Sequence, residues 1–328
     1  MKKFIPPRRG KLKIGVLFGG KSAEHEVSLQ SARNVIEGLD RSRYQITKIK
    51  INKSGKFPFN ILKKFDVIFP VLHGPFGEDG SMQGLLKLAG IPYVGAGVLG
   101  SAVGMDKDAM KRLLRDAGLP IGKFLTFRLG DKVSFNKIKK ELGSPLFIKP
   151  ANMGSSVGVS KVRNESEFKK AVTEAFKFDT KIIIEEFIKG REIECAVLGN
   201  NNPMASIPGE IIANQEFYSY DAKYIDEGSV AEIPAKIDKK TARKIQELAI
   251  KTFQALNCEG MGRVDFFLKK NGRVFVNEIN TIPGFTNISM YPKLWEASGI
   301  PLPKLLDRLI GLAIERFEKE QKLKTTAN

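Results

Sequence analysis

Two cysteines, two histidines and one tryptophan are spread over 328 residues, and no apolar run approaches the length of about 18 needed to cross a bilayer. Cys195 and Cys258 are too few for a disulfide framework and too far apart for a Cys-based metal motif. Cys195 falls in the strand-like EIECAVLG beside Ile193 and Val197, where a small buried hydrophobe is expected. No transmembrane helix and no membrane partner are expected. The first residues, MKKFIPPRRGKLK, begin like a secretory signal, but no apolar stretch follows the lysines and Pro6-Pro7 interrupts them. They read as a frayed basic arm on a cytoplasmic protein.

Negative charge is also scarce: 54 Lys and Arg stand against 36 Asp and Glu, a formal net charge of +18. Such an excess can mark a nucleic-acid surface or attract anionic substrates. The basic residues are nevertheless scattered through every segment and alternate with acids in ERFEKEQKLK, without aromatic interleaving or zinc-finger spacing. A basic nucleic-acid-binding protein is therefore the non-enzymatic alternative, and no nucleic-acid partner is expected.

What is present is an ordinary globular composition, 42% apolar and 27% charged, over a length that suits two or three folding units. Residues 1–105 alternate strands and helices. KLKIGVLF ends in Gly19-Gly20 and leads into a helical pattern through Ala32, Val35, Ile36 and Leu39, and YQITKIKI and DVIFPVL follow as strands. These are βαβ units on a parallel sheet. Ligands of such sheets meet the loops at the carboxyl ends of the strands, here GGKSAEHE and HGPFGEDG. Neither loop contains GxGxxG, and both carry acids and a histidine that a plain turn does not need.

Residues 106–188 read as a compact α+β unit, with helices in DKDAMKRLLRDAG, 134–142 and 165–177, and strands in KFLTF, PLFIKP, VGVSKV and KIIIEEF. Residues 189–328 supply longer strands (191–199, 204–212 and 230–235), a helix over 239–256, a hairpin, and a final amphipathic helix from about residue 302. The aperiodic, Tyr-rich stretch 214–229 has the length of a lid.

The hairpin is RVDFFLKKNGRVFVNEIN, residues 263–280. Asn271-Gly272 signals a two-residue turn, which pairs Lys270 with Arg273, Asp265 with Glu278 and Arg263 with Asn280. Val264, Phe266, Leu268, Phe275 and Ile279 then share one apolar face, and Arg263, Asp265, Glu278 and Asn280 the other. Two carboxylates roughly 4.5 Å apart at an effective dielectric near 20 repel by about 4 kcal/mol. A divalent cation with oxygen ligands, Mg²⁺ above all, would offset this; an exposed face with Arg263 paired to Asp265 is the alternative. Likewise KPANMGSSVG puts Lys149 before a Gly/Ser stretch whose N–H groups could wrap phosphates. That loop lacks the P-loop spacing, and an ordinary hairpin turn also accounts for it.

GGKSAEHEVSLQSA, VLHGPFGEDGSMQG, MDK, KPANMGSSVGVSKV, IIIEEFIKGREIECAVLG, YDAKY, GMGRVDFFL and NEINTIPGFTNISM occur in this order between about residues 12 and 315. Together they resemble the D-alanine:D-alanine ligase family of the ATP-grasp superfamily. The resemblance implies an α/β and α+β ATP-grasp fold, an N-terminal parallel-sheet domain followed by two α+β units that sandwich ATP. It implies ligation of two D-alanines through a D-alanyl phosphate for peptidoglycan synthesis, in a cytoplasmic homodimer. An ATP-grasp ligase with D-lactate or D-serine as second substrate is the alternative.

By the same resemblance Lys107, Lys149, Ser155, Ser156 and Lys223 attend the ATP phosphates, while Glu185, Glu186 and Glu192 lie at adenine and ribose. Asp265, Glu278 and Asn280 hold two Mg²⁺ (or Mn²⁺) ions. Glu24 receives the first ammonium through a network with Ser155 and Tyr224, and His73 lines that subsite unless it is simply packed. Arg263 and the Gly284 N–H meet the tetrahedral oxygen, and Ser289, with Met290 beside it, holds the second carboxylate. A tyrosine at 224 resembles the members that use an amine, not a hydroxy acid, as second nucleophile.

Overall fold

The computed structural model describes residues 10–212, 230–324 and 326. The basic arm at 1–9 and the expected lid at 214–229, with Lys223 and Tyr224, lie outside the described residues.

Strands β1 (Leu12–Gly19) and β3 (Val67–Val71) are buried along almost their whole length, as strands of a parallel sheet covered on its faces are. With β2 (Tyr44–Ile51) they form a sheet of order β2-β1-β3. Helix α1 (His25–Gly38) crosses between β1 and β2 and buries Val27, Ala32, Val35 and Ile36, spaced for one face. Its Ser28 is fully buried: the hydroxyl accepts from the Gly19 N–H at 2.8 Å and donates to the Val71 carbonyl, which ties the helix to both strand ends. Helices α2 (Ser81–Leu88) and α3 (Val98–Met105) follow. Residues 15–22, GVLFGGKS, satisfy the P-loop spacing by letter. Gly15 is nevertheless paired inside β1, and a Cβ there would lie 2.7 Å from Ile68, so no phosphate loop forms.

Asp106 caps α4 (Lys107–Asp116), its carboxylate accepting from the Asp108 and Ala109 N–H groups at 3.1 Å. A four-stranded antiparallel sheet follows, built from β4 (Phe124–Arg128), β5 (Leu146–Pro150), β6 (Ser160–Val162) and β7 (Lys181–Glu186) in the order β4-β7-β5-β6. Helices α5 (Phe135–Leu142) and α6 (Glu165–Ala175) pack on it through Phe135, Ile138 and Phe168 against Ile148 and Ile182. Of VGVSKV only Ser160–Val162 is strand; the residues before it belong to the Gly/Ser turn.

The third sheet has the order β11-β10-β8-β12-β13, with β9 beside β8. Its strands are β8 (Arg191–Gly199), β9 (Met204–Ala205), β10 (Gly209–Ile212), β11 (Val230–Glu232), β12 (Gly260–Leu268) and β13 (Val274–Asn280). The expected single strand over 204–212 is thus split in two. Helices α7 (Lys239–Ala255), α8 (Met290–Ala297) and α9 (Leu302–Gln321) complete the described elements. One apolar core joins the first and third sheets: Ile14, Val16, Val35 and Phe69 pack with Leu198, Met261, Trp295 and Leu309.

The β12–β13 hairpin departs from expectation twice, and the departures cancel. Its turn holds three residues: Lys269 N–H bonds Arg273, Gly272 N–H bonds Lys269, and Gly272 takes the left-handed φ of +77° that such a loop requires. This shifts the distal pairing by one, so that Phe266 faces Val276 and Leu268 faces Val274. A bulge between Asp265 and Phe266 then restores the register, and Asp265 faces Glu278 while Arg263 faces Asn280. The apolar face accordingly contains Val274 and Val276 beside Ile279. Phe275, expected on that face, lies opposite Phe267 on the other.

Candidate active site

The second and third sheets, with the loops that follow β1 and β3, border one cavity of about 590 Å³, within the range of small-ligand sites. Each expected site residue among the described ones lines it: Glu24, His73, Lys107, Lys149, Ser155, Ser156, Glu185, Glu186, Glu192, Arg263, Asp265, Glu278, Asn280, Gly284, Ser289 and Met290. Segments separated by more than 200 residues converge there.

At one end lie the hairpin and two lysines. Arg263 donates to both Asp265 oxygens at 2.7 Å and stands 2.9 Å from Glu194, so the pairing of Arg263 with Asp265 that the sequence left open is made. Asn280 adds an amide donor to Asp265 at 3.0 Å. Lys107, at the start of α4, donates to the Met153 carbonyl at 2.7 Å and lies 3.7 Å from Glu278. Cations therefore flank both opposed acids. Lys149, on β5, meets Glu185 of β7 at 2.6 Å, and Lys111 reaches the other Glu185 oxygen at 2.9 Å. Burial alone would raise the Glu185 carboxyl, but the two ammonium groups hold it down at about 2. Glu186 lines the cavity as well, and its carboxylate accepts from the Lys123 N–H at 2.7 Å.

Above Lys149 the Gly/Ser turn carries two consecutive non-glycine residues with left-handed backbone, Ser155 at φ +49° and Ser156 at +58°. Such strain persists where the surroundings over-determine it. Here the Ser155 hydroxyl donates to Glu24, 131 residues away in the chain. The Glu24 carboxylate lies against two glycines: a Cβ on Gly74 or Gly154 would lie 2.6 or 2.9 Å from its Oε2 and force the carboxylate to move.

The far end is organised by α1. Ser31 accepts from the Phe285 N–H at 3.1 Å, and Asn34 donates to the Phe285 carbonyl at 2.8 Å. His73 is buried between the Ile282 carbonyl at 3.1 Å and the Ser31 hydroxyl at 3.3 Å, and burial lowers its pKa, so the ring is neutral. It is both packed and at the cavity wall. Ser289 occupies the position just before α8, and its hydroxyl, turned back from the helix, accepts from the Thr286 N–H at 3.0 Å and pairs with the Thr286 hydroxyl at 2.8 Å. A Cβ at Gly284 would come within 2.6 Å of that hydroxyl, which explains the glycine. Met290 belongs mainly to the shared core and shows only its edge to the cavity.

Three participants escaped the sequence reading. Glu78, in HGPFGEDG, accepts from the Gly74 N–H at 2.6 Å and the Ile282 N–H at 3.2 Å, and desolvation, with Glu24 nearby, pushes its carboxyl up to about 8. The acids of HGPFGEDG point to this loop but do not distinguish Glu78 from Asp79. Glu194 on β8 faces Arg263, and Lys111 stands behind Glu185; alternation along β8 and the four-residue spacing from Lys107 were the available signals.

Asp265, Glu278 and Asn280 offer only oxygen donors, and the first two are cross-strand partners at the cavity wall. A carboxylate has lone pairs beyond those Arg263 and Asn280 engage. Among the described residues no group of three or more His, Cys, Asp and Glu is arranged for a metal. The donor set alone, two carboxylates and an amide oxygen, suits a hard cation that keeps waters and shares substrate phosphates, as Mg²⁺ does.

Two family models match, D-ala D-ala ligase C-terminus over residues 113–311 and D-ala D-ala ligase N-terminus over 13–61 and 58–96. A D-alanine--D-alanine ligase of Oceanobacillus iheyensis is 50% identical, with 96% of this chain and 99% of that protein covered. Among solved structures, the D-alanine-D-alanine ligase from Coxiella burnetii is 42% identical at a TM-score of 0.85, over 95% of this chain and 98% of that one. The VanG D-Ala:D-Ser ligase from Enterococcus faecalis is 38% identical at 0.85, over 93% and 100%. The Bacillus anthracis D-alanine--D-alanine ligase complexed with ATP is 31% identical at 0.81, over 94% and 99%. Near-complete coverage in both directions and a cavity assembled from the shared motifs lead to one conclusion: the chain belongs to the D-alanine–D-alanine ligase family, and its fold is that of the ATP-grasp ligases.

Proposed function

We propose that the cavity joins two D-alanine molecules at the expense of ATP, with the nucleotide at the Lys107–Lys149 end and the amino acids between Glu24 and Ser289. The observation that carries this is the gathering of the two lysines and the Asp265–Glu278 pair at one end of a single cavity that a buried acid, Glu24, also lines. The first carboxylate attacks the γ-phosphorus, ADP leaves, and a D-alanyl phosphate forms. The amine of the second D-alanine, once deprotonated, attacks the activated carbonyl carbon, and phosphate leaves with its oxygen. No protein nucleophile takes part.

The protein binds and orients. Lys107 and Lys149 hold phosphate oxygens under the Ser155–Ser156 turn, and Glu192, with the backbone near Glu185 and Glu186, holds the nucleoside. Glu24 receives the first ammonium, and Ser289 receives the second carboxylate. Arg263 and the Gly284 N–H stabilise the tetrahedral oxygen, an electrostatic contribution of the oxyanion-hole kind. Asp265, Glu278 and Asn280 would hold Mg²⁺ or Mn²⁺, which supplies charge neutralisation on the transferring phosphoryl group. We place the reaction in the cytoplasm, in a homodimer; among the described residues no helix is long and apolar enough to cross a membrane.

Hydroxylamine offered in place of the second D-alanine tests the order of steps. D-alanyl hydroxamate forming only with ATP present supports the acyl phosphate. ADP formed with D-alanine and hydroxylamine but without hydroxamate contradicts it. The D-serine reading, favoured by the likeness to the VanG ligase, predicts a mixed dipeptide when both amino acids are supplied.

A further inference from the structure

The cavity lining carries more carboxylates than cations, an unfavourable surround for a polyanion. Glu185 is the most enclosed of these acids, 6% exposed, and its two oxygens are divided between two lysines. Lys149 lies 2.6 Å from one oxygen and lines the cavity; Lys111 lies 2.9 Å from the other, is 3% exposed, and does not line the cavity. Lys107 and Lys111 are four residues apart on α4, so one helix face sends one ammonium into the cavity and the next behind its wall. A buried ammonium is costly unless an acid meets it, and Lys111 meets Glu185 where nothing in the proposed chemistry requires a contact.

The geometry points to Lys111 as a positioning residue for the nucleotide phosphates: by neutralising Glu185 from behind, it leaves the charge of Lys149 directed into the cavity. This rests on the nucleotide reading above. Glu185 and Lys149 alone would form a neutral pair, and the ammonium would be drawn toward its acid. With Lys111 present the trio carries one net positive charge, and only Lys149 of the two lysines can bring it to a ligand.

Calorimetric binding of ADP and of adenosine, with Mg²⁺ throughout, tests this on the full chain. Wild type is compared with Lys111→Met, Lys111→Arg, Lys149→Met and the double variant Lys111→Met/Glu185→Gln. Lys111→Met is expected to weaken ADP about tenfold and adenosine less than about twofold, since the missing charge acts on phosphates. Lys111→Arg recovers most of the loss. In the double variant the deleted charges cancel, and the ratio of ADP to adenosine affinity returns close to that of wild type.

Equal losses for both ligands in Lys111→Met, or a double variant as weak toward ADP as the single, would overturn the inference and reduce Lys111 to a packing contact. Should Lys111→Met fail to fold, the same ratio in Lys111→Arg and in the charge-balanced double decides the matter. Failure of the nucleotide reading looks different: wild type binds neither ligand and Lys149→Met changes nothing, which removes both claims.

Discussion

Arg263 meets three carboxylate oxygens, two on Asp265 and one on Glu194, while Lys107 stands near Glu278. These cations already offset the repulsion between the opposed acids. The fold should therefore tolerate loss of metal even where the proposed reaction needs it. Chelation of Mg²⁺ in the absence of nucleotide is expected to leave the Tm within about 2 °C and to abolish turnover; a large drop in Tm would show that the acids need the ion to fold. Asp265→Asn and Glu278→Gln should each lower kcat at least about a hundredfold with folding intact, and normal turnover in both would remove them from the chemistry. Glu78 makes a prediction about pH. Its carboxyl titrates at about 8 in the folded chain because of desolvation and the neighbouring Glu24, against an ordinary value near 4.5 when unfolded. The folded state thus holds a proton that the unfolded state has released. The stability linked to it is full below the unfolded value and is lost as pH rises through about 8. Glu78→Gln, which mimics the protonated form, should match wild type in Tm near pH 5 and exceed it at pH 9. A constant difference across that range would contradict the assignment.

Helix α1 is the element that sets the proposed amino-acid end of the site. Ser31 and Asn34 hold the backbone of Phe285, and Ser28 pins the helix to the ends of β1 and β3. Ser31→Ala leaves a buried N–H without its acceptor, a cost of about 1–3 kcal/mol. It should raise the KM for D-alanine more than that for ATP, because the displaced loop carries Gly284 and Ser289; equal changes in both would place the effect elsewhere. Much of this was readable in the sequence. The apolar runs of β1 and β3, the spacing of Val35 and Ile36, and the helix in DKDAMKRLLRDAG are local signals, and each appears where local rules put it. The hairpin shows the limit of that kind of reading. Its turn has one more residue than Asn271-Gly272 suggested, and a bulge beside Asp265 returns the register, so the acids face each other although Phe275 does not sit where alternation placed it. The bulge places an unpaired Asn277 in the edge strand β13, a departure from strict alternation that the period of the sequence does not signal. The contact of Ser155 with Glu24 and that of Lys111 with Glu185 are long-range. Lys111 also lies in a strongly polar helix segment, KDAMKRLLRD, where burial of a lysine is not signalled.

At the scale of the whole molecule, the first and third sheets share one core around Trp295, Val35 and Leu309, whereas the β4–β7–β5–β6 sheet closes its own core with α5 and α6. The proposed amino-acid subsites are thus set between elements joined by the common core, and the sheet bearing Lys149 and Glu185 meets them across the cavity. Such an arrangement suits a reaction in which one face holds the carboxylates to be activated and the other brings the phosphoryl donor, with gains from orientation. The direct test is phosphate release from ATP and Mg²⁺ with D-alanine, L-alanine, D-alanine plus D-lactate, or no amino acid, and the products identified by mass. Release that depends on D-alanine and yields D-alanyl-D-alanine, with no ester to D-lactate, is the predicted result. Release that is indifferent to D-alanine, or a joined product lacking the dipeptide, would contradict the account.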